Sequence, residues 1–366
     1  MKLKSVNGKK IKIVHIIPTL HLGGAERIML DLVRFSNSEI YECAVITIAD
    51  GGPLEGELRT LGIPYYSLKK TTDLGLGMLV DLTRLLNRLE PDIVHTHLFG
   101  AHLWGQVASL LNRVPVMIAS EQNTDVDLGE LRHHIKKVLS FGADVVVAAS
   151  DAIREFLMKQ EHIAAEKIVV IRNAIDVSRY LHVPPPKFEK VFKLLAIGRL
   201  EPQKGHDILF EALSQLQDIP WELAIVGEGS LSEDLSNRAV LLHIHDRVNF
   251  VGSILDVAPL IAACDAIVMP SRWEGIGLVI MEGMAAARPV IASRVGGIPE
   301  LITHGKTGAL VTPEDPNQLA EMVRWVWEHP DRARDLGAAA REFARTHCDV
   351  RGMVKEYERL YANFIS

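Results

Sequence analysis

Apolar segments of strand length recur along the whole chain and constrain its fold more than any other feature. They occupy residues 11–17, 43–49, 63–68, 93–97, 116–119, 145–149 and 168–171 in the first half, and 192–197, 223–226, 248–251, 266–269, 290–292 and 309–311 in the second. Apolar runs without polar alternation are typical of strands that are covered on both faces, as in parallel sheets. The pattern therefore predicts an α/β fold with two doubly wound parallel-sheet domains.

The chain has 366 residues, which is enough for two domains. We place the boundary at Val183-Pro184-Pro185-Pro186, because consecutive prolines favour an extended and fairly stiff linker. The domains would then span residues 1–183 and 184–349. Residues 350–364 carry an apolar stripe of helical period, and this last helix packs either on its own domain or across on the first one.

Composition excludes several classes of function. A net charge of −6 gives no support for nucleic-acid binding. The cysteines Cys43, Cys264 and Cys348 are far apart and form no C-x-x-C pair, which argues against a structural zinc site and for a reducing, cytoplasmic setting. The basic start of the chain precedes a short apolar run that contains His15, and we interpret this run as a first strand rather than a signal peptide. No apolar run approaches the roughly 20 residues of a membrane span.

Polar and glycine residues in the second half concentrate directly after the apolar runs. In open α/β sheets, ligands bind at the carboxyl ends of the strands, so this arrangement predicts a binding crevice. Arg199 and Lys204, which lie between Gly198 and Gly205, are the cations of that edge. The arginine fork and the compact lysine charge suit a diphosphate. The alternative is that both are solvated loop charges.

The segment from Glu274 to Glu282 combines a glycine turn with two carboxylates. Gly275 and Gly277 lie between a buried run and a predicted helix at 278–287. Glycines let backbone N–H groups approach a phosphate at a helix N-terminus, while carboxylates accept hydrogen bonds from hydroxyls. The segment therefore predicts a site for a nucleotide sugar. Glu228 lies in a second G-x-G, which alone is weak evidence.

The first half has fewer polar signals. Gly23 and Gly24 open a predicted helix that runs to about residue 35, but they do not match the G-x-G-x-x-G dinucleotide fingerprint, so NAD binding is not predicted. His95 and His97 share one face of a strand, and His102 follows. Because no third ligand stands at helpful spacing, we favour a polar crevice wall over a metal pair.

Two further segments are open to more than one interpretation. Asp125-Val126-Asp127 resembles the D-x-D of metal-dependent sugar transferases, but a pattern of this length often arises by chance. Residues 131–139 are basic and predict an amphipathic helix. Its basic face is either solvated or in peripheral contact with anionic lipid at the inner side of a membrane.

In this order, the segments resemble the retaining GT-B glycosyltransferases, specifically glycosyltransferase family four. The resemblance covers nearly the whole chain. It rests on the segments Gly23-Gly24-Ala25-Glu26, Pro91-Asp92-Ile93-Val94-His95-Thr96-His97, 198–205, 227–229, 274–282 and Gly296-Gly297-Ile298-Pro299-Glu300. Each segment alone is unspecific, whereas the combination is highly specific.

The resemblance implies two Rossmann-like domains that face a central cleft, with the last helix crossing back to the first domain. The second domain would bind most of the donor, a nucleotide diphosphate sugar, with UDP favoured and GDP possible. A saccharide or lipid-linked saccharide acceptor, as in polysaccharide biosynthesis, would bind the first domain. Such enzymes transfer a sugar without a metal or other cofactor and retain its anomeric configuration.

The resemblance also implies residue roles. Arg199 and Lys204 would hold the diphosphate, Glu274 the hydroxyls of the donor sugar and Glu282 the ribose. The other expected donor contacts are Gly23, Gly24, Gly198, Gly227, Glu228, Ser253, Ile254, Gly275, Ile276, Gly277 and Leu278; Gly24 would lie under the phosphates, and Ser253 and Ile254 would meet the base. The acceptor-side candidates are His97, Gln122 and Asn123.

Two positions depart from the family pattern. Gln122 stands where the family commonly has a histidine near the reacting sugar, and Asn173-Ala174 replaces the usual Asn-Gly. In the front-face mechanism usually proposed, the leaving phosphate takes the acceptor proton, so the missing histidine need not abolish transfer. The departure nevertheless leaves open a catalytically weak sugar-nucleotide binding protein. A sugar-nucleotide epimerase on the same fold is a further alternative.

Overall fold

A computed structural model describes residues 9–69, 76–124 and 130–365 and divides the chain into two compact units. Unit 1 comprises Met1–Asn173 and Val350–Ser366, and unit 2 comprises Ala174–Asp349. All strand pairs of both sheets are parallel within the described residues. The predicted class of two parallel α/β domains is therefore confirmed.

Unit 1 contains, among its described residues, a sheet of seven strands in the order β3-β2-β1-β4-β5-β6-β7. The strands are β1 (Ile11–Ile17), β2 (Tyr41–Thr47), β3 (Tyr65–Ser67), β4 (Ile93–His97), β5 (Val116–Glu121), β6 (Val145–Ala148) and β7 (Ile168–Val170). The helices are α1 (Gly24–Phe35), α2 (Glu55–Thr60), α3 (Leu76–Leu89), α4 (Leu98–Leu111), α5 (Glu130–Gly142), α6 (Asp151–Lys159) and the C-terminal α14 (Val350–Ile365).

Unit 2 contains a sheet of six strands in the order β10-β9-β8-β11-β12-β13. The strands are β8 (Phe192–Ile197), β9 (Trp221–Val226), β10 (Val248–Gly252), β11 (Ala266–Met269), β12 (Val290–Ser293) and β13 (Ala309–Val311). The helices are α7 (His206–Ser214), α8 (Ser232–Leu241), α9 (Ala258–Ala263), α10 (Leu278–Ala285), α11 (Ile298–Leu301), α12 (Pro316–Glu328) and α13 (Pro330–His347).

Continuous apolar runs form these strands because both faces of each sheet are covered. In β8, Leu194 packs into a core cluster with residues of α7 and α12. The next residue, Leu195, packs into a second cluster with residues of α10 and α13. Adjacent residues of a strand point to opposite faces, so a strand with two buried faces needs apolar residues at consecutive positions.

The boundary between the units lies earlier than the predicted boundary at Val183-Pro184. Ile175, Tyr180 and Val183 belong to the core of unit 2, so the chain has already entered that unit before the prolines. The carbonyl oxygen of Pro184 accepts a hydrogen bond of 2.8 Å from the buried Arg288. The proline segment is thus anchored on unit 2 rather than forming a free linker.

The C-terminal helix belongs to unit 1, as the resemblance implied. Its apolar stripe is buried, with Tyr357 and Tyr361 among its most buried residues. The backbone N–H of Asn37 and the hydroxyl of Tyr41 both donate hydrogen bonds to Glu358. Among the described helices, none combines the length and the apolar character that crossing a membrane requires.

The strand order of each sheet reverses at one place. In unit 1 the reversal falls between β1 and β4, and in unit 2 between β8 and β11. The chain leaves these neighbouring strands in opposite directions, which opens a crevice at their carboxyl ends where α/β proteins bind ligands. These two points position the polar residues discussed next.

Candidate active site

The reversal point of unit 2 brings together three residues that were predicted from separate segments. Arg199 and Lys204 follow β8, and Glu274 follows β11, its direct neighbour in the sheet. The Nζ atom of Lys204 lies 2.7 Å from Oε2 of Glu274, and the two side chains are only 16% and 11% exposed. A pair shielded in this way is stronger than one on the open surface, because water screens it less.

Gly198 makes room for this lysine. A Cβ added at Gly198 would lie 3.1 Å from three carbon atoms of the Lys204 side chain. The lysine therefore packs its aliphatic part over the glycine and holds its ammonium group at Glu274. This packing explains the glycine better than a direct approach to phosphate does.

Arg199 is exposed and is oriented by a residue that the sequence analysis did not single out. Its NH2 atom donates a hydrogen bond of 2.9 Å to Oε1 of Gln203. Nε2 of Gln203 donates a hydrogen bond of 3.0 Å to the carbonyl oxygen of Trp273. The loops after β8 and β11 are thus joined through a neutral amide next to the charged pair.

The loops after β9 and β10 also meet at this edge. The exposed Glu228 accepts a hydrogen bond of 3.3 Å from the backbone N–H of Ser253. A Cβ added at Gly227 would lie 2.0 Å from the carbonyl oxygen of Gly198, so this glycine allows two loops to touch. Ile254 is partly buried against the core of unit 2. The structure gathers these predicted residues along one edge, and their roles in donor binding stay predictions.

The predicted glycine turn precedes α10 as expected. Gly277 is the N-cap residue with φ 77°, and no side chain caps the helix there. Gly275, Ile276 and Gly277 are buried, while Leu278 is partly exposed at the first helical position. Free N–H groups at a helix start favour an anion, which agrees with the predicted phosphate contact.

Glu282 on α10 has a partner that sequence reasoning missed. The hydroxyl of Tyr180 donates a hydrogen bond of 3.0 Å to Oε1 of Glu282. Burial and the nearby carboxylate raise the pKa of Tyr180, so it remains protonated as a donor. No sequence pattern connects these two residues, because 102 positions separate them.

The reversal point of unit 1 contains a cluster of buried histidines. His15 on β1 is in register with His95 on β4, and His97 lies on the same face of β4. Nδ1 of His15 lies 3.1 Å from Nε2 of His97, and all three rings are fully buried. His15 is a third histidine beside His95 and His97, which was not predicted from the sequence. It lies within the apolar run 11–17, which was interpreted only as a buried strand.

The contacts of His95 disfavour a metal centre. Its Nδ1 atom lies 2.8 Å from the hydroxyl of Tyr361, and its Nε2 atom lies 2.7 Å from Oγ of Ser120. Both ring nitrogens are therefore engaged, and a metal would have to displace one of these bonds. Burial lowers the pKa of His15 to about 3 and the pKa values of His95 and His97 well below 6.5. The three imidazoles are neutral groups in a polar core. Because His97 is fully buried, a predicted acceptor-side role for it would be limited to supporting neighbouring residues.

One departure from the family pattern, Gln122, contacts the asparagine that directly precedes the other, Ala174. Nδ2 of Asn173 donates a hydrogen bond of 2.6 Å to Oε1 of Gln122. Within the described residues, Nε2 of Gln122 and Oδ1 of Asn173 are buried atoms without a hydrogen-bond partner. The pair therefore offers one donor and one acceptor at the ends of β5 and β7. Asn123, the other acceptor-side candidate, is partly buried and accepts a hydrogen bond from the backbone N–H of Thr124.

At the start of α1, Gly23 and Gly24 are exposed, and Gly23 is the N-cap residue without a side-chain hydrogen bond.

Within the basic segment 131–139, Lys136 departs from the expected solvated face. Lys136 is buried and lies 3.1 Å from both Glu121 and Glu161, because a buried carboxylate pair requires a cation. The predicted Asp125-Val126-Asp127 motif lies outside the described residues.

Unit 2 thus presents two cations, three carboxylates and a helix start along the carboxyl edge of a parallel sheet. Cations and helix N-termini bind phosphate, and carboxylates accept hydrogen bonds from hydroxyls. The class defined by the fold is a protein with two Rossmann-like units, and the chemistry of the edge suits a sugar phosphate.

Comparisons with known proteins agree with this class. Residues 22–179 match the family model for Glycosyltransferase Family 4, and residues 179–343 match the model for Glycosyl transferases group 1. An uncharacterised glycosyltransferase of Methanocaldococcus jannaschii is 30% identical over 74% of this chain and 76% of its own length. The UDP-Gal:alpha-D-GlcNAc-diphosphoundecaprenol alpha-1,3-galactosyltransferase of Escherichia coli is 26% identical over 86% of this chain and 87% of its own.

The crystal structure of HepE from Anabaena in complex with UDP-glucose has the same fold, with a TM-score of 0.86. It is 24% identical, and the match covers 96% of this chain and 100% of that chain. The chain therefore belongs to the family 4 glycosyltransferases, and its fold is of the GT-B type.

Proposed function

We propose that the protein is a retaining glycosyltransferase that transfers a sugar from a nucleotide diphosphate sugar to a hydroxyl of a saccharide or lipid-linked saccharide. The observation that carries the proposal is the shielded Lys204–Glu274 pair beside Arg199 at the reversal point of unit 2. A diphosphate needs cations, and a sugar needs acceptors for its hydroxyls. This edge supplies both within one loop cluster.

The proposed reaction proceeds on one face of the donor sugar. The acceptor hydroxyl oxygen forms a bond to the anomeric carbon while the bond from this carbon to the diphosphate breaks. The acceptor proton passes to the departing phosphate oxygen. Arg199, Lys204 and the start of α10 stabilise the negative charge that develops on the diphosphate, an effect that commonly dominates catalysis. Glu274 holds the sugar hydroxyls and Glu282 the ribose, with Tyr180 orienting Glu282.

We favour a UDP-sugar as the donor. The Escherichia coli relative is named for UDP-Gal, and the Anabaena structure contains UDP-glucose, which supports this choice. A thermal-shift panel of UDP-, GDP- and ADP-sugars tests it, because a ligand that binds the folded state raises the unfolding temperature. We expect the UDP-sugars to give the largest shift, and a larger shift with a GDP- or ADP-sugar would reassign the base.

Glu274→Ala tests the site itself. With the UDP-sugar that binds best, we expect release of UDP to fall strongly, because the variant loses a sugar contact and leaves Lys204 without its partner. Glu233→Ala, at an exposed glutamate of the same unit, is the matched control. Unaltered turnover in Glu274→Ala, with the control also unaltered, would remove Glu274 from the proposed site.

We also propose that transfer requires no metal and retains the anomeric configuration. Turnover in the presence of EDTA should equal turnover in Mg²⁺ or Mn²⁺, because the cations that balance the diphosphate belong to the protein. The anomeric configuration of the product is measured by NMR. An inverted product, or activity that depends on added metal, contradicts this part of the proposal.

A catalytically weak nucleotide-sugar binding protein is the second candidate. It is favoured by Gln122, whose Oε1 atom is already bonded to Asn173. Donor binding without turnover across a broad panel of saccharide acceptors would support it. In that case we expect Gln122→His to increase turnover.

A sugar-nucleotide epimerase is a further alternative. Product analysis without an acceptor would detect epimerisation of the donor sugar.

Peripheral contact with an anionic membrane, at its cytoplasmic side, is a further part of the proposal. Leu110, Leu111, Val138 and Phe141 form what we call the α4/α5 patch, and they are 57–71% exposed. Nζ of Lys167 lies 5.9 Å from the Phe141 ring, at the edge of this patch. Exposed apolar residues with cations nearby favour a lipid surface.

Vesicles that contain phosphatidylglycerol test this contact by co-flotation at low salt. We expect retention of the wild-type protein and its loss with Phe141→Glu, while Phe364→Glu, at an exposed residue on α14, serves as the control. The absence of wild-type retention at low salt would end this part of the proposal.

A further inference from the structure

Gln203 stands at the junction of the two loops that carry the proposed diphosphate and sugar contacts. It belongs to the short 3-10 turn Pro202–Lys204 after β8, and its side chain is buried. The turn ends at Gly205, whose φ of 63° lets the chain reverse directly into α7. Neither the residue type nor the spacing of this glutamine indicates a partner in the sequence.

Both ends of the Gln203 amide are engaged. Oε1 accepts a hydrogen bond from NH2 of Arg199, and Nε2 donates one to the carbonyl oxygen of Trp273. The opposite orientation would place two donors, the amide and the guanidinium, against each other. The two partners therefore fix which end of the amide faces Arg199. The backbone carbonyl of Gln203 accepts a further hydrogen bond of 2.8 Å from the backbone N–H of Arg272.

The two cations are held in different ways by consecutive residues of the loop after β11. Lys204 is paired with the carboxylate of Glu274, a bond between opposite charges. Arg199 is connected to Trp273 through the neutral amide of Gln203. A neutral acceptor orients a guanidinium without adding a negative charge beside it. An arginine held in this way retains its attraction for a phosphate, and less of its side-chain freedom is lost on binding.

We propose that Gln203 is a positioning residue, which fixes the guanidinium of Arg199 for the diphosphate of the donor. This inference rests on the proposed function, because it assumes that Arg199 contacts the diphosphate. Gln203 itself touches neither substrate nor reacting atoms in this proposal. It acts through Arg199 alone, and its effect should disappear when Arg199 is replaced.

A double-mutant cycle tests this dependence. We compare the wild type, Gln203→Leu, Arg199→Met and the double variant by kcat and KM for release of UDP from UDP-glucose, or of the diphosphate from whichever nucleotide sugar stabilises the protein best. We expect Gln203→Leu to lower kcat about 10- to 100-fold in the wild-type background, as loss of a charge-orienting contact commonly does. In the Arg199→Met background we expect a change of less than about 2-fold.

Two further variants distinguish a residue that positions Arg199 from one that only holds the loops after β8 and β11 together. Gln203→Glu has the same size and retains an acceptor for Arg199. It adds a negative charge, however, and loses the N–H group that donates to the carbonyl oxygen of Trp273. We expect it to raise KM for the donor more than Gln203→Leu does, and it replaces Gln203→Leu in the cycle if that variant does not fold. Gln217→Leu, at an exposed glutamine of the same unit, is the matched control.

The outcomes distinguish the inference from the function on which it rests. If Gln203→Leu lowers kcat equally in both backgrounds, Gln203 only holds the two loops together, and the inference is overturned. If Arg199→Met itself leaves donor turnover unchanged, the proposed role of Arg199 fails and the inference fails with it. A strong effect of both single variants, with no further loss in the double variant, supports the inference.

Discussion

The same place in the two sheets carries opposite chemistry. In unit 1, His15 lies two residues before the end of β1, and its ring is fully buried. In unit 2, Arg199 lies two residues after the end of β8, and its side chain is exposed. A polar residue inside a strand at the reversal point is enclosed by helices, whereas one in the following loop reaches the ligand edge. A few positions along the chain therefore decide between a neutral core group and a charged binding group.

Burial also sets the charge of each cluster. Removal of an imidazole from water disfavours its protonated form, which lowers the pKa of His15 to about 3. His97 and His15 further disfavour charge on His95. In unit 2, by contrast, Lys204 and Glu274 form an ion pair, with Nζ 2.7 Å from Oε2. We therefore expect acid mainly to lower the stability of unit 1, and substitution of the unit 2 cations mainly to lower activity.

The largest expected effect is a loss of stability in acid that is concentrated in unit 1. The unfolded chain binds a proton at His15 below pH 6.5, whereas the folded chain does so only near pH 3. The unfolded state thus gains protons first, and the free energy of unfolding falls as the pH falls from 6.5 to about 3. For His15 alone the fall reaches about 5 kcal/mol, with a slope of about 1.4 kcal/mol per pH unit.

Hydrogen exchange between pH 7 and pH 4.5 measures this effect separately in each unit, through the amides of β4 and β11. Among the described residues, unit 1 contains three buried histidines with lowered pKa values, whereas unit 2 contains one, His206, whose pKa burial lowers to about 4. Each such group adds a similar slope over this pH range, so unit 2 should lose stability with a shallower slope. His15→Gln should reduce the slope in unit 1 and leave unit 2 unchanged. Equal slopes in the two units would contradict the contrast drawn above.

Substitution of the unit 2 cations should mainly impair activity. We expect Arg199→Ala and Lys204→Ala each to lower donor turnover about 10²- to 10³-fold, because each removes charge stabilisation that grows in the transition state. Steady-state kinetics with UDP-glucose measure this loss. Arg324→Ala, at an arginine of the same unit that pairs with the exposed Asp218, is the control and should retain wild-type turnover.

A smaller effect is expected at Gly296, which supports the loop that carries Glu274. Its φ is 50°, and an added Cβ would lie 1.7 Å from the carbonyl oxygen of Glu274. Gly296→Ala should cost about 1–3 kcal/mol in stability and reduce donor turnover by moving that loop. Gly305→Ala is the matched control, because Gly305 has φ 73° and open space around its Cβ position. If both variants retain full turnover, the close contact does not position Glu274.

The last expected effect, which concerns stability alone, lies at the hydroxyl of Tyr361. Tyr361→Phe removes the hydrogen-bond partner of Nδ1 of His95 and leaves a buried polar atom unpaired. We expect a loss of about 1–3 kcal/mol in the free energy of unfolding, measured by urea denaturation. Tyr66→Phe, whose ring lies 5.5 Å from Arg88, serves as the control. Equal stability of Tyr361→Phe and the wild type would show that this bond contributes little.

The sequence by itself determined the elements and the order of the candidate site. Strands buried on both faces leave continuous apolar runs, so the bounds of β1, β4, β8, β11 and β13 could be predicted without the structure. Because loops after parallel strands share an edge, the sequence also indicated that Arg199, Lys204 and Glu274 lie together. The order of the segments was specific enough to predict the family, which the comparisons confirm.

Only the tertiary structure decided which of these residues have partners. Three pairs of residues are far apart along the chain and meet because of strand order. They are Gln203 with Trp273, Tyr180 with Glu282, and Gln122 with Asn173. It also turned Lys136 inward and placed the unit boundary before the prolines, where burial of Ile175 and Tyr180 outweighs local stiffness. Local sequence fixes periodicity and loop chemistry, because these depend on neighbours in the chain. Burial and partner choice depend on which strands and helices pack together, and that is a property of the whole fold.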